Sequence, residues 1–373
     1  MEDTITMTNS ELLRTPLYSK HIALGGKMVD FSGFELPIQY TSIMKEHQAI
    51  RNNCGLFDVS HLGEIRIQGS RAYEFLNSLV PTNIEDLKDG FIRYTLMLNI
   101  EGGILDDILI YRESQNDYYL VINAGNIQKI SAHIEANKPV SGVEVLNESD
   151  DCGCIAIQGP GALAVCEAAF GKHFADMAYY SFKTLPETDN PVWISRSGYT
   201  GEDGFEFFAS GDALTDVWDR LIKIGQPMGM VPAGLGCRNT LRLEVGNSLY
   251  GHEMDETVTP YESRLSWLVD LKKEFIGKDA LAEHKAKGIK KRLCGFVMRD
   301  RAIGRDGYGI WSGDNKIGAV TSGSYSPTLK NNLGLACVDK DFARIGTLFD
   351  IEIHGKRYGA EVVKLPFVPI RHL

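Results

Sequence analysis

Two adjacent carboxylates, Asp106 and Asp107, lie within Ile104–Tyr111, an apolar run that is otherwise typical of a buried β-strand. Because side chains alternate between the faces of a strand, the two acids are predicted to point in opposite directions. A carboxylate among apolar side chains needs hydrogen bonds, a counter-charge or a proton, and such groups are common where catalysis occurs. The alternative, which this segment alone favours, is that the pair follows the Gly102-Gly103 turn and caps nearby backbone amides.

A third acid, Glu206, follows the glycine-dense segment Gly198–Gly204 and lies in a second apolar run between Phe205 and Phe207. The glycine spacing matches neither a Walker nor a dinucleotide motif, and the acids of the segment would repel phosphate. A carboxylate in apolar surroundings can instead accept two parallel hydrogen bonds from the edge of an amino-pyrimidine ring. A salt-bridged structural role for Glu206 is the alternative, and the residues leave both open.

Two arginines, Arg238 and Arg242, share one face of a helix that is predicted to begin near Gly234. Arg238 lies close to the start of this helix, where backbone amides and a guanidinium both attract a negative charge. We therefore predict that Arg238 binds an anionic group of a ligand. Arg242 is predicted to be structural, with an acidic partner near Glu244 or at Glu262.

Other kinds of chemistry are disfavoured by residue spacing. Ser60 and His61 are adjacent, but a catalytic triad is defined by spatial geometry and the chain has no Gly-x-Ser-x-Gly elbow, so both are interpreted as turn or pocket-lining residues. Cys152 and Cys154 lack the spacing and the partner residues of a zinc site, so no metal is expected.

The seven scattered cysteines suit a reducing compartment, and we expect a cytoplasmic protein.

Composition narrows the possible partners. The chain has 373 residues, 43% of them hydrophobic, which is typical of a globular protein of about two to three domains. Its 39 basic and 49 acidic residues give a formal charge of −10, which argues against general binding to nucleic acid or to an anionic membrane. The amino terminus is polar, and no segment offers the roughly 18 apolar residues of a membrane span. We expect an unexported protein without membrane spans.

Turn signals and hydrophobic periodicity predict the elements that position these residues. Between residues 64 and 146 they indicate the order β-α-β-β-β-α-β, close to a ferredoxin-like unit, and a similar unit follows from Cys154 onward. The cationic stretch Lys285–Arg292 indicates a solvated linker, or alternatively a docking site for an acidic partner. Short glycine-punctuated strands from Leu293 to Pro366 predict a small all-β barrel or jelly-roll-like domain.

Six sequence blocks together resemble the aminomethyltransferase family of the glycine cleavage system, the T-proteins. The blocks occur in the family's order between about Thr15 and Pro366, so the resemblance covers nearly the whole chain. They are Phe57–His61, Gly102–Asp107, Gly198–Glu206, Arg242–Glu244, Leu249–Glu256 and Thr321–Leu329.

The resemblance implies an α+β fold with three domains arranged as a cloverleaf around a central folate site. Two domains are ferredoxin-like α+β modules, and the third is a carboxy-terminal all-β barrel or jelly-roll-like domain. Residues 1–60 together with 150–285 are expected to form the first, folate-binding module. Residues 61–149 are expected to form the second module, which carries the Asp pair, and residues 290–373 the barrel.

The resemblance also implies a reaction and a set of site residues. A lipoylated carrier, the H-protein, presents an aminomethyl group on sulfur, and the co-substrate tetrahydrofolate takes the methylene while ammonia is released, without a metal or redox cofactor. Asp107 corresponds to the family's essential acid, Glu206 to the residue at the pterin edge, and Arg238 to a further folate contact. Five other positions are implied to line the pocket: Tyr94, Asn123, Tyr180, Tyr199 and Trp267.

Three positions depart from the residues usual in the family. Leu62 and Phe34 are apolar exchanges, whereas Asn239 stands where the family has an acid next to Arg238. The departures keep two alternatives open: a tetrahydrofolate-dependent demethylase, and a folate-binding protein without catalytic activity. A variant of the first alternative, the folate module of a sarcosine or dimethylglycine oxidation system, is disfavoured because an attached flavin domain and a dinucleotide fingerprint are absent. The second alternative is disfavoured because its signature is absent from the region of Leu249–Glu253.

Overall fold

The structure is a computed structural model that describes residues 12–185 and 191–372. Within these residues the chain forms eight α-helices and nineteen β-strands. The helices are α1 (Tyr18–Ala23), α2 (Ile43–Asn52), α3 (Ala72–Leu79), α4 (Ile127–Asn137), α5 (Ala162–Phe170), α6 (Gly211–Gly225), α7 (Leu235–Glu244) and α8 (Lys278–Lys287). The strands are β1 (Lys27–Phe31), β2 (Phe34–Gln39), β3 (Gly55–Asp58), β4 (Gly63–Gln68), β5 (Phe91–Leu98), β6 (Ile104–Ser114), β7 (Asp117–Ile122), β8 (Glu144–Asn147), β9 (Cys152–Gln158), β10 (Ser181–Leu185), β11 (Val192–Arg196), β12 (Gly204–Ser210), β13 (Val231–Pro232), β14 (Lys291–Met298), β15 (Gly309–Ser312), β16 (Asn315–Ser326), β17 (Asn331–Asp339), β18 (Leu348–Ile353) and β19 (Lys356–Val363).

Strands β3 to β13 of the described chain form one eleven-stranded sheet, in the order β13-β3-β9-β12-β11-β10-β5-β6-β7-β4-β8. Each half contains the predicted sequence of elements β-α-β-β-β-α-β, first from β4 to β8 and then from β9 to β13. The halves meet edge to edge, where Ser181 of β10 pairs with Phe91 of β5. The predicted α+β fold class is confirmed, whereas the assignment of residue ranges to domains stays a prediction.

The helices cover the sheet because their apolar residues recur at helical spacing. In α6 the buried residues Leu214, Val217, Trp218 and Leu221 form one face, which packs with α5 against β9 and β12. Helices α3 and α4 cover the other half of the sheet in the same way. A third apolar cluster lies between the sheet and the helices α2 and α7.

Strands β14 to β19 close into a six-stranded antiparallel barrel in the described chain, as the predicted all-β domain requires. Two details differ from the sequence prediction. Strand β15 was not predicted, because its four residues carry too short a pattern. The predicted linker is wrong at both ends: Lys285 and Lys287 belong to α8, and Lys291 and Arg292 begin β14, where cross-strand hydrogen bonds to β17 extend the strand.

A buried ionic cluster joins the helices to the barrel. The carboxylate of Glu244, at the end of α7, accepts hydrogen bonds from Arg51 Nη2 at 3.0 Å, from Ser326 Oγ at 2.5 Å and from Thr328 Oγ1 at 2.8 Å. Arg51 of α2 also donates to Glu202 at 2.8 Å, between β11 and β12. The side chain of Glu244 is fully buried, so this cluster fixes α2, α7 and the barrel relative to one another.

We expect Glu244→Gln to lower the free energy of unfolding by about 3 kcal/mol or more, because the buried Arg51 charge would lose one of its two carboxylates. Urea or thermal unfolding measures the change. The exposed pair of Glu283 and Lys287 on α8 provides the control, since Glu283→Gln should leave the unfolding transition unchanged. Equal transitions for the two variants would contradict the role assigned to the cluster.

The contribution of Glu244 should also depend on pH. Burial raises the pKa of its carboxyl, but His47, Ser326 and Arg51 outweigh burial and lower the pKa to about 2. A lowered carboxyl pKa adds stability that is present above the ordinary value of about 4.3 and is lost as the pH falls towards the folded-state value. The stability difference between the wild type and Glu244→Gln should therefore shrink in acid. A difference that stays constant from neutral to acidic pH would contradict this.

Candidate active site

A cavity with a volume of about 460 Å³ lies where the sheet, α7 and the barrel meet. Its size is that of a pocket for one drug-sized or cofactor-sized molecule. The structure brings all eight predicted site residues to its lining: Tyr94, Asp107, Asn123, Tyr180, Tyr199, Glu206, Arg238 and Trp267. Their individual roles remain predictions.

The two adjacent acids of β6 differ in their surroundings, as strand alternation predicts. Asp107 lines the cavity and accepts hydrogen bonds from Tyr94 Oη at 3.0 Å and from Asn123 Nδ2 at 2.9 Å. Asp106 is fully buried outside the lining and accepts hydrogen bonds from the backbone N–H of Asn123 at 3.0 Å and from Asn126 Nδ2 at 2.6 Å. The amide of Asn123 also donates to Asp106 at 2.8 Å, so one side chain bridges both acids.

The electrostatics of the pair follow from burial. Burial raises the pKa of Asp107, while hydrogen bonds from Tyr94 and Asn123 and the charge of Arg238 oppose that rise. Burial also raises the pKa of Asp106, and the neighbouring charge of Asp107 raises it further. The net effect is a raised pKa at Asp107, and the donors and the cation around it limit that rise by favouring the ionised form.

Glu206 of β12 is nine-tenths buried and lines the same cavity. Ser197 Oγ donates to its Oε2 at 2.5 Å, and Oε1 has no hydrogen-bond donor among the described residues. The pKa of this carboxyl is raised, because the effect of burial exceeds the opposing effects of Ser197 and Arg238. The structural alternative predicted a salt bridge, but Glu206 makes none with any residue that the structure describes. One carboxylate oxygen is therefore free for a ligand.

Arg238, in the first turn of α7, also has no ion pair and no side-chain hydrogen bond among residues 12–185 and 191–372. Its guanidinium carbon lies 4.5 Å from the centre of the Tyr199 ring, a cation–π contact. The pKa of Arg238 is lowered, because the effect of burial exceeds the opposing effects of Tyr199 and Glu206. Because a guanidinium keeps its proton at any ordinary pH, the cavity contains an unpaired cation.

Arg242 contrasts with Arg238 on the same helix. It donates to Glu253 at 2.9 Å, to Asn239 Oδ1 at 2.9 Å and to Ser322 of the barrel at 2.8 Å. Its predicted structural role is confirmed, but the predicted acidic partners are wrong, because the partner is Glu253. Asn239 hydrogen-bonds Arg242 and not Arg238, so this departure from the family's usual residue concerns the structural arginine.

The other predicted residues form aromatic walls. Tyr180 has a positive φ of 61° and stacks on Tyr179 at 4.7 Å between ring centres. Tyr199 donates a hydrogen bond to the backbone carbonyl of Ser248. Trp267 is 69% exposed and lies 6.2 Å from the Tyr94 ring, so it marks the open end of the cavity.

Ser60 and His61 form a turn, as predicted, and neither lines the cavity. Ser60 donates to the backbone carbonyl of Cys154 at 3.1 Å, and His61 is packed edge-on against Phe31 and Phe34. Burial, and then the charge of Arg238, lower the pKa of His61 to about 3, so its ring is neutral.

Sequence reasoning missed Arg264 and Tyr250, which also line the cavity. Tyr250 lies within the Leu249–Glu256 block, so its place in a family motif was a usable signal. Arg264 gave no such signal. Among the residues that the structure describes, no group of three or more His, Cys, Asp or Glu side chains is arranged to hold a metal ion. No helix in the described ranges is long and apolar enough to cross a membrane.

Comparison with known proteins gives two family matches that follow the observed architecture. Residues 17–273 match the GCVT N-terminal domain, and residues 291–369 match the glycine cleavage T-protein C-terminal barrel domain. The chain belongs to the glycine cleavage T-protein family. The resemblance predicted from the six sequence blocks is therefore confirmed.

Relatives of this T-protein family member extend over almost its whole length. An aminomethyltransferase from Alkaliphilus oremlandii is 43% identical over 360 residues, which cover 96% of this chain and 98% of the relative. An aminomethyltransferase from Halothermothrix orenii is 43% identical over 356 residues, covering 95% and 99%. The crystal structure of glycine cleavage system aminomethyltransferase T from Bartonella henselae matches with a TM-score of 0.90 and 32% identity, covering 96% of this chain and 99% of that one.

The contrast between the two arginines of α7 gives a prediction about stability. Arg242→Gln should lower the free energy of unfolding by about 3–5 kcal/mol, because Glu253 would remain buried without its cation. Arg238→Gln should leave stability unchanged or raise it, because it removes a desolvated charge whose contact is a cation–π interaction with Tyr199 and not an ion pair. Urea unfolding of both variants measures this. A similar loss for the two would show that Arg238 has a structural partner after all.

Proposed function

We propose that this chain transfers the methylene group of an aminomethyl-lipoyl carrier protein to tetrahydrofolate and releases ammonia. The family and the names of the relatives identify an aminomethyltransferase of the glycine cleavage system. The identity of the co-substrate and of the carrier is our inference. The observation that carries it is the group of unpaired charges, Asp107, Glu206 and Arg238, in one cavity.

Glu206 fits the pterin end of tetrahydrofolate. A pterin presents adjacent N–H groups along one ring edge, and a carboxylate can accept two parallel hydrogen bonds from such an edge. Oε1 of Glu206 has no donor in the described chain, and burial strengthens a hydrogen bond that a ligand makes there. Arg238 lines the same cavity and has no ion-pair partner in the described chain. Its guanidinium would therefore contact an electron-rich group of the same ligand.

Asp107 fits the reacting end. The methylene carbon loses its bonds to the lipoyl sulfur and to the amine nitrogen, and it gains two bonds to folate nitrogens. The two protons released by the folate amines are taken up by the sulfur and by the departing ammonia. Positive charge develops on the methylene carbon and its nitrogen neighbour as ammonia leaves, and a fixed carboxylate in a dry site stabilises that charge.

Two further elements of the proposal concern partner and location. A lipoylated H-protein would carry the aminomethyl group, in accordance with the glycine cleavage system to which the family belongs. A cytoplasmic location remains a prediction from the seven cysteines, which the structure contains as free thiols.

One experiment tests the function. Purified protein is incubated with tetrahydrofolate and either an aminomethyl-loaded lipoyl carrier or simple methylamine donors, and ammonia and methylenetetrahydrofolate are both measured. We expect both products in equal amounts with the loaded carrier. Activity with methylamine donors alone would indicate a demethylase and contradict the proposal.

Asp107→Asn should reduce kcat by about 10²-fold or more, because it retains size and hydrogen bonding but deletes the charge that stabilises the developing cation. Folding and tetrahydrofolate affinity should be retained. The comparison variant is Asp106→Asn on the opposite face of the strand, which should mainly lower the melting temperature and should reduce kcat far less, because Asp106 contacts Asp107 only through Asn123. The assignment would be wrong if Asp106→Asn abolished turnover in a stable protein while Asp107→Asn stayed active.

Arg238→Gln should weaken tetrahydrofolate binding by about 1.5–3 kcal/mol, because it removes a charge-assisted contact from a largely desolvated site. Isothermal titration calorimetry measures the affinity. Arg301→Gln, at an exposed position outside the cavity lining, is the control and should bind as the wild type does. Unchanged affinity in Arg238→Gln would remove Arg238 from the folate site.

A further inference from the structure

One wall of the cavity contains a tyrosine that stacks on its own neighbour in sequence. Tyr180 lines the cavity, and its ring lies 4.7 Å from that of Tyr179, with the ring planes 21° apart. Adjacent side chains of an extended strand point in opposite directions. The two rings lie side by side here because Tyr180 has a φ of 61°, in the left-handed region that non-glycine residues rarely adopt.

A third ring continues this stack away from the cavity. His372 lies on Tyr179 with 3.8 Å between the ring centres, and the two ring planes are almost parallel, at 8°. Neither Tyr179 nor His372 lines the cavity. Burial lowers the pKa of His372, although the charge of Asp203 opposes that effect. At neutral pH the His372 ring is therefore uncharged and packs as an aromatic ring.

The position of His372 is fixed by the residue before it. The backbone N–H of Arg371 donates to the carbonyl of Gly201 at 2.8 Å, and its Nη1 donates to the carbonyl of Arg51 at 2.8 Å. The same nitrogen lies 3.4 Å from Oε1 of Glu202, whose side chain is almost fully buried. His372 is thus held against the tyrosine pair by contacts that do not depend on its own ring.

We propose that His372 is a positioning residue for the cavity: through Tyr179 it holds the ring of Tyr180 in the orientation that binds tetrahydrofolate. The inference rests on the proposed function. A residue in a sparsely populated backbone conformation persists only where its surroundings enforce it, and stacked rings provide such a constraint. Without the outer ring, the Tyr180 ring would adopt further orientations, and the ligand would have to order it on binding, which weakens affinity.

The alternative is that His372 only attaches its segment to the rest of the fold. Two observations favour the positioning role. The stack ends on Tyr180, a residue of the cavity lining, and not in the apolar core. Attachment of the segment is already provided by the hydrogen bonds of Arg371 to Gly201 and Arg51.

The test compares His372→Ala with His372→Phe, by calorimetry with tetrahydrofolate and in the complete carrier-dependent assay. We expect His372→Ala to raise the Kd and the KM for tetrahydrofolate about two- to tenfold, the effect of one aromatic pair, with kcat and the KM for the carrier unchanged. His372→Phe should restore the wild-type values, because phenylalanine retains the ring. Urea unfolding of both variants measures any effect on stability.

A second pair of variants tests the route through Tyr179. Tyr179→Leu removes the middle ring and should also weaken tetrahydrofolate binding. His372→Ala should then add no further loss, because His372 acts on the cavity only through that ring. The control is His354→Ala, which removes an exposed histidine packed edge-on against Tyr308 of the barrel, outside the cavity lining, and should bind as the wild type does.

Three results would overturn the inference: unchanged affinity in His372→Ala, including the case in which only its stability falls; no recovery in His372→Phe; or a further loss of affinity in the double variant. Calorimetry needs no carrier protein. A wild type that binds tetrahydrofolate but does not turn over the loaded carrier would therefore contradict the proposed function, while the affinities of the variants still decide the role of His372. A wild type that does not bind tetrahydrofolate would contradict both.

Discussion

The geometry of the cavity depends on the buried carboxylate of Glu244. It accepts hydrogen bonds from Arg51 of α2 and from Ser326 and Thr328 of the barrel, and its own backbone carbonyl accepts from the N–H groups of Phe367 and Val368. Those two residues directly follow Leu365 and Pro366, which line the cavity. Arg51 also donates a hydrogen bond to a second acid, Glu202. This contact fixes the segment that carries Tyr199. A buried ion pair contributes little net stability, but it penalises any arrangement that would leave one charge without a partner.

The charges that hold elements together differ from those that line the cavity. Those that hold elements together are paired, as Arg242 is with Glu253. Those that line the cavity are not: Arg238 and Glu206 have no ion-pair partner in the described chain, although both are largely desolvated. Such charges reduce the stability of the folded chain in exchange for a site that is ready for a polar ligand.

Local patterns in the sequence predicted the elements well, because alternation and helical spacing are local properties. The alternation of β6 was enough to separate Asp106 from Asp107, and the apolar face of α6 was visible as a spacing. Pairing between distant segments was not predictable in this way. The Arg242–Glu253 pair depends on how α7 meets the following segment, and Lys291 and Arg292 become a strand only because β17 lies beside them. Arg264 was missed because a left-handed backbone at a non-glycine residue has no local sequence signal.

The geometry also explains why two acids stand next to each other. Asp106 accepts from the backbone N–H of Asn123 and from its side-chain amide, and these two contacts fix the orientation of that amide. The same amide nitrogen donates to Asp107 at 2.9 Å, so the buried acid acts on the cavity acid through Asn123. A hydrogen bond to an ionised carboxylate restrains its rotation as well as its pKa. The capping role that the segment alone favoured is thus present at Asp106, and it serves to hold the neighbouring Asp107 in one position.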